Sequence, residues 1–129
     1  MKKTLRRTGD ASADVAWERY MDLSLWSTWA PQIMGVDAST DRLAAGTTGT
    51  VRGPLGVRVS FEVHSVDEAA RVWSWRAWIG APSAGLTLEH GVDSAGSGSS
   101  TWLVVDGLAP LVLGYSPAAL FALGRLVTA

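Results

Sequence analysis

Val57, Val59, Phe61 and Val63 alternate with Arg58, Ser60, Glu62 and His64. A period of two sends every second side chain to one face of an extended chain, so this stretch is a half-buried strand and not an amphipathic helix. The same period recurs downstream. Trp73, Trp75, Ala77 and Ile79 share a face of a strand from Arg71 to Ile79, and Leu86, Leu88, His90 and Val92 share a face of a strand from Leu86 to Val92. Strands over Gly46–Arg52 and Thr101–Asp106 complete this middle region, with turns at Gly53–Gly56, Asp67–Glu68 and Gly80–Gly85. The Asp93–Gly98 stretch reads as a flexible hairpin loop, and residues 2–8 read as a short edge strand.

Helical spacing is confined to the flanks. Ser12 offers an N-cap to a helix over Ala13–Asp22, whose apolar face is Ala13, Ala16, Trp17 and Tyr20. A second short helix runs from Leu23 to Trp29 and stops ahead of Pro31, with Asp22 as its cap. Leu108–Ala129 is nearly all apolar, with Arg125 its only charge. Its length suits a membrane span, but Ser116-Pro117 reads as an N-cap with proline at the first helical position, restarting a helix mid-run. A helix laid over the sheet explains the apolarity without stable membrane insertion. Strands grouped together with helices at the ends specify an α+β fold, and the absence of repeats or a linker specifies one domain over residues 1–129.

Composition narrows the function. Seven tryptophans and only 18% charged residues require either a large aromatic core or the lining of an apolar space, and both readings stay open at this level. No cysteine is present, which excludes disulfides and thiolate metal sites and fits a cytoplasmic protein. The net charge of -1, without a basic block, argues against a nucleic-acid partner. Lys2, Lys3, Arg6 and Arg7 precede no apolar run of the kind a signal peptide needs.

Several short stretches resemble the START-like (SRPBCC) superfamily, in particular its polyketide cyclase/dehydrase and lipid-transport group. Trp17–Asp22 followed by Trp26 and Trp29 is similar to the family's "VW…D…W…W" opening, and Ala45-Gly46-Thr47 to its "xGT" strand start. Arg71–Trp75 matches its "(F/W)xW" strand, Leu88-Glu89-His90 follows in order, and the Gly/Ser stretch before Thr101-Trp102-Leu103 resembles its "GG(S/T)" hairpin. The resemblance implies a helix-grip fold: a curved antiparallel sheet of about six to seven strands around a long C-terminal helix, with two short helices after the first strand. It also implies an apolar cavity between sheet and helix for a lipid, polyketide or similar molecule. The final segment departs from the family pattern by lacking an amphipathic charged tail before Ala129, which would leave the cavity open at one end.

On this frame the cavity is expected to be lined by Trp73, Trp75, Leu88, His90, Phe61 and Leu103, with Trp26 and Trp29 closing one end. His90 is the candidate for chemistry, since a neutral imidazole there can hydrogen-bond a ligand carbonyl or shuttle a proton. The favoured reading is a core histidine satisfied by its neighbours. His64 falls on the solvent face, and the two histidines lack metal-ligand spacing, so neither a metal site nor any other cofactor is expected. Arg76, Glu89 and Asp106 fall on the outer face, and Trp78 and Trp102 on that face offer a homodimer contact. With no second catalytic group evident, the residues favour a non-catalytic carrier of a small hydrophobic molecule. The alternative is a polyketide aromatase/cyclase-type enzyme using His90 as acid/base, and a third class is a protein-interaction module.

Overall fold

The computed structural model describes all 129 residues, Met1 to Ala129. Strand β1 (Lys2–Gly9) leads into α1 (Ala13–Met21), a 3-10 turn (Leu23–Leu25) and the single-turn α2 (Trp26–Trp29). Six strands follow: β2 (Gly35–Ala38), β3 (Thr48–Arg52), β4 (Arg58–Asp67), β5 (Val72–Trp78), β6 (Leu86–Ala95) and β7 (Gly98–Asp106). The chain ends in α3 (Ala109–Leu126). The strands form one antiparallel seven-stranded sheet in the order β1-β7-β6-β5-β4-β3-β2. The first and last strands in the sequence are therefore neighbours, and the α+β helix-grip expectation holds.

The inner face of the sheet follows from the alternation. Phe61 and Val63 of β4, Trp73 and Trp75 of β5, Leu88, His90 and Val92 of β6, and Leu103 and Val105 of β7 are all buried. The pairing of β4 with β5 shifts between Val63 and Ser65, so His64 is the extra residue of a bulge and is exposed. The bulge bends β4 and keeps both Val63 and Val66 opposite the tryptophan strand.

Four local readings are corrected. The Asp93–Gly98 stretch is not a flexible loop: β6 continues to Ala95, which pairs with Gly98, and only Gly96 and Ser97 turn the chain. Gly96 takes a φ of +60°, as a tight hairpin requires. Asp93, Ser94 and Ser97 are exposed, but the small polar residues that follow the turn, Ser99, Ser100 and Thr101, are buried. Ser99 Oγ donates to the Ala11 carbonyl at 2.7 Å, tying the hairpin to the entry of α1. At the other end of the chain, Ser116-Pro117 does not restart a helix. α3 is continuous through Pro117, and Ser116 Oγ donates back to the Val112 carbonyl at 2.7 Å. Ile79 lies beyond the end of β5 and is 63% exposed rather than inward. The strand expected from Gly46 begins at Thr48, and β2 adds an outer strand that the turn-rich stretch after Pro31 concealed.

Trp78 and Trp102 do point outward, but both are half-buried. Trp102 pairs across the strands with Gly91, and its ring lies over that bare backbone, where any Cβ on residue 91 would strike the indole. Nor do the two tryptophans form one patch. Trp102 is level with Val72 through Gly91, and Trp78 lies farther along β5, roughly 20 Å away at about 3.3 Å per residue. Glu89 and Asp106 are exposed, and the Arg76 guanidinium is held on the outer face by Thr87 Oγ1 and the Pro82 carbonyl.

α3 runs along β1 and β7 and meets α2. Val112, Ser116, Ala119, Ala122, Leu123 and Leu126 form its buried stripe, while Leu111, Leu113 and Phe121 face out. At 18 residues and mean hydropathy 1.3 it is long and apolar enough to cross a bilayer, yet a third of it (33%) is buried against the rest of the domain.

Candidate ligand cavity

The site starts with α1. Ser12 Oγ accepts the Val15 N–H at 3.2 Å and fixes the helix start, which places Ala13, Ala16, Trp17 and Tyr20 on the buried face. The last carbonyls of α1 have no intrahelical partners. The Trp29 indole donates to the Arg19 carbonyl and the Trp26 indole to the Tyr20 carbonyl, each at 2.8 Å. Asp22 Oδ1 accepts the Ser24 N–H at 3.0 Å, capping the 3-10 turn as its position suggested. Trp26 and Trp29 therefore have structural work for their N–H groups: they fasten α2 to the end of α1.

Tyr20 is fully buried and carries the polar centre of the site. Its hydroxyl lies 2.6 Å from Thr101 Oγ1 and 3.2 Å from His90 Nδ1, and Thr101 Oγ1 donates to the Gly91 carbonyl at 2.9 Å. Counting hydrogens orients the chain. Thr101 spends its one hydrogen on Gly91, so it accepts from Tyr20; Tyr20 then has no hydrogen left and accepts from His90 Nδ1–H. Burial holds the Tyr20 phenol well above the ordinary value and pulls the His90 imidazole down to about 3, so both are neutral. The outcome is a neutral histidine with Nδ1 protonated and Nε2 presenting a lone pair. That corrects the expectation of a hydrogen bond from His90 to a ligand carbonyl: Nε2 accepts and does not donate.

The aromatic side chains close around this centre. The Trp73 ring stacks flat on His90, with centroids 4.7 Å apart and planes 9° apart. Trp75 sits 5.3 Å from Trp73 and 5.3 Å from Trp26, and Tyr20 makes edge contacts with Trp29 and Trp73. Between this cluster and α3 lies a partly open, mostly apolar hollow with a free volume of about 30 Å³. Trp26, Trp29, Trp73, Trp75, His90 and Leu103 line it from one side, and Tyr115, Ala119, Ala122 and Leu123 of α3 from the other. Ala30, Gln32 and Ile33, after α2, complete the wall. Phe61 and Leu88 are buried but not on this wall. Phe61 instead packs behind it against Trp26 and Trp75. A roomier hollow beside Asp22, Asp37 and Asp41 is polar and open to solvent.

The free volume is small because the tryptophans fill most of the space that the fold would otherwise leave. Three buried nitrogens around it nonetheless have no hydrogen-bond partner: Trp73 Nε1, Trp75 Nε1 and His90 Nε2. Buried polar atoms are rarely left so. Nothing in the sequence marks Tyr20 and Thr101 as partners of His90: by spacing Tyr20 is an apolar-face residue and Thr101 a strand start. Tyr115, Ala119 and Ala122 are equally unmarked, because α3 has no polar face from which to tell its inner stripe.

Against this geometry the sequence matches the family model described as "Polyketide cyclase / dehydrase and lipid transport" over residues 2–125. The chain belongs to this family. As a START-like domain it shares its fold with solved proteins of low identity. The crystal structure of Ara h 8.0201 superposes with a TM-score of 0.73 at 14% identity, covering 97% of this chain and 95% of that one. DynU16, described as a putative protein in the dynemicin biosynthetic locus, gives a TM-score of 0.75 at 18% identity, covering 97% of this chain but 45% of that longer one. No curated protein matches the sequence.

Proposed function

We propose that this START-like domain binds one small, flat, largely apolar molecule between the sheet and α3, as a carrier or binding protein of the cytoplasm. The observation that carries the reading is the hollow under α3, walled by aromatic rings on one side and by Tyr115, Ala119, Ala122 and Leu123 on the helix side. A volume of about 30 Å³ admits only water-sized molecules, whereas ligand sites commonly measure about 300–1,000 Å³. Binding therefore requires α3 to move outward. The buried stripe of its first half is thin, consisting of Val112 and Ser116 with Tyr115 partly covered, which supports that half as the part that lifts. The test is a thermal-shift panel of apolar compounds, with native mass spectrometry of the protein as purified. A true ligand at a hundredfold excess over Kd adds about 2.7 kcal/mol of stability. No bound mass together with no shift from any compound would refute the reading.

The competing reading is a cyclase-type enzyme with His90 as acid/base, favoured by the family description and by the biosynthetic setting of DynU16. Against it, a base pulled down to about 3 is poorly matched to proton abstraction near neutral pH. The other titratable group on the wall, Tyr115, is pushed up to about 12 by burial. Retention of turnover by a His90→Ala variant would remove this assignment.

A further inference from the structure

The binding reading leaves the ligand's chemistry open, and the inference that follows rests on that reading and supplies it. Of the four indoles on the cavity wall, those of Trp26 and Trp29 are satisfied by backbone carbonyls, while those of Trp73 and Trp75 are not. His90 adds a third unpartnered nitrogen, and the Tyr20–Thr101–Gly91 chain makes it an acceptor. Besides the Tyr115 hydroxyl and the Gln32 amide, the wall thus offers two fully buried donors and one fully buried acceptor without partners, close together because Trp73 stacks on His90 and Trp75 lies beside Trp73. It holds no Lys, Arg, Asp or Glu, so a buried carboxylate or ammonium would find no counter-charge.

We propose that the cavity selects a neutral, flat molecule carrying a hydroxyl, which donates to His90 Nε2, and an oxygen acceptor held by the Trp73 and Trp75 indole N–H groups. A hydroxyaryl ketone is the simplest member of the class. Hydrocarbons leave all three nitrogens bare, and fatty-acid anions bring an uncompensated charge. Each mismatch is expected to weaken binding about ten- to a hundredfold.

The experiment measures Kd by calorimetry for 3-hydroxyacetophenone, 3-methoxyacetophenone (no donor), 3-ethylphenol (no ketone) and decanoate. The hydroxy ketone is expected to bind tightest, each single-deletion analogue ten- to a hundredfold more weakly, and decanoate not measurably. His90→Phe should abolish the preference for hydroxyl over methoxy yet keep the preference for ketone over ethyl. Trp75→Phe, which keeps a ring and loses the N–H, should reduce the ketone preference and spare the hydroxyl preference, so either variant suffices if the other fails to fold. Equal affinities for the three aromatic probes, tight binding of decanoate, or a hydroxyl preference that survives His90→Phe would overturn the inference and leave the binding reading standing. Failure of every aromatic probe also overturns it, and the binding reading falls only if the apolar panel fails as well.

Discussion

His90 has one ring nitrogen committed to Tyr20 and one left free, and the energetics of the residue follow from its burial. Its folded pKa of about 3 lies below the ordinary 6.5, so between these values the unfolded chain binds a proton that the native state refuses. Stability is therefore unaffected above pH 6.5 and declines as pH falls from 6.5 toward 3, at up to about 1.4 kcal/mol per pH unit from this group. Urea unfolding at pH 7.5, 6 and 5 should show that decline, and His90→Phe should flatten it. The sequence placed His90 on the inner face by its spacing from Leu86, Leu88 and Val92. It did not reveal Tyr20, seventy residues away, as its partner, because a hydrogen bond between a helix and a strand leaves no periodic trace in either.

At the scale of elements, alternation located the strands and capping residues located α1, because both depend on near neighbours in the chain. The misread elements are those in which a local signal was outweighed by packing. Asp93–Gly98 has loop-like composition, but Asp93, Ser94 and Ala95 pair with Ser100, Ser99 and Gly98, which extends both strands nearly to the turn. Ser116-Pro117 has the signature of a helix start, yet Leu123 and Leu126 beyond it and Val112 before it share one buried stripe, and this keeps α3 continuous. Proline inside a helix removes a hydrogen bond and crowds the preceding turn. Pro117→Ala should therefore raise stability, by about 1–3 kcal/mol, read as a higher Tm. A helix that truly began at Ser116 would gain little from the change.

For the whole molecule, the outer sheet face bears on assembly. On this face Trp78 and Trp102 are half-buried and set apart by the register, and Trp102 covers Gly91. Trp102→Arg should thus leave the solution mass unchanged in sedimentation, while uncovering Gly91 lowers Tm. A change in mass would restore the outer face as an interface. Taken alone, the sequence determined the α+β class, the inward side of β4 to β7 and the family, since these rest on side-chain periodicity and on short motifs spread along the chain. Only the tertiary structure decided whether the seven tryptophans line a space or fill it. The free volume is what remains after rings from α2, β5 and the facing stripe of α3 meet across the sheet. That remainder depends on helix tilt and ring orientation, which no local pattern records. The same convergence determined which tryptophan N–H groups are spent on α1 and which stay free, and so what the cavity can recognise.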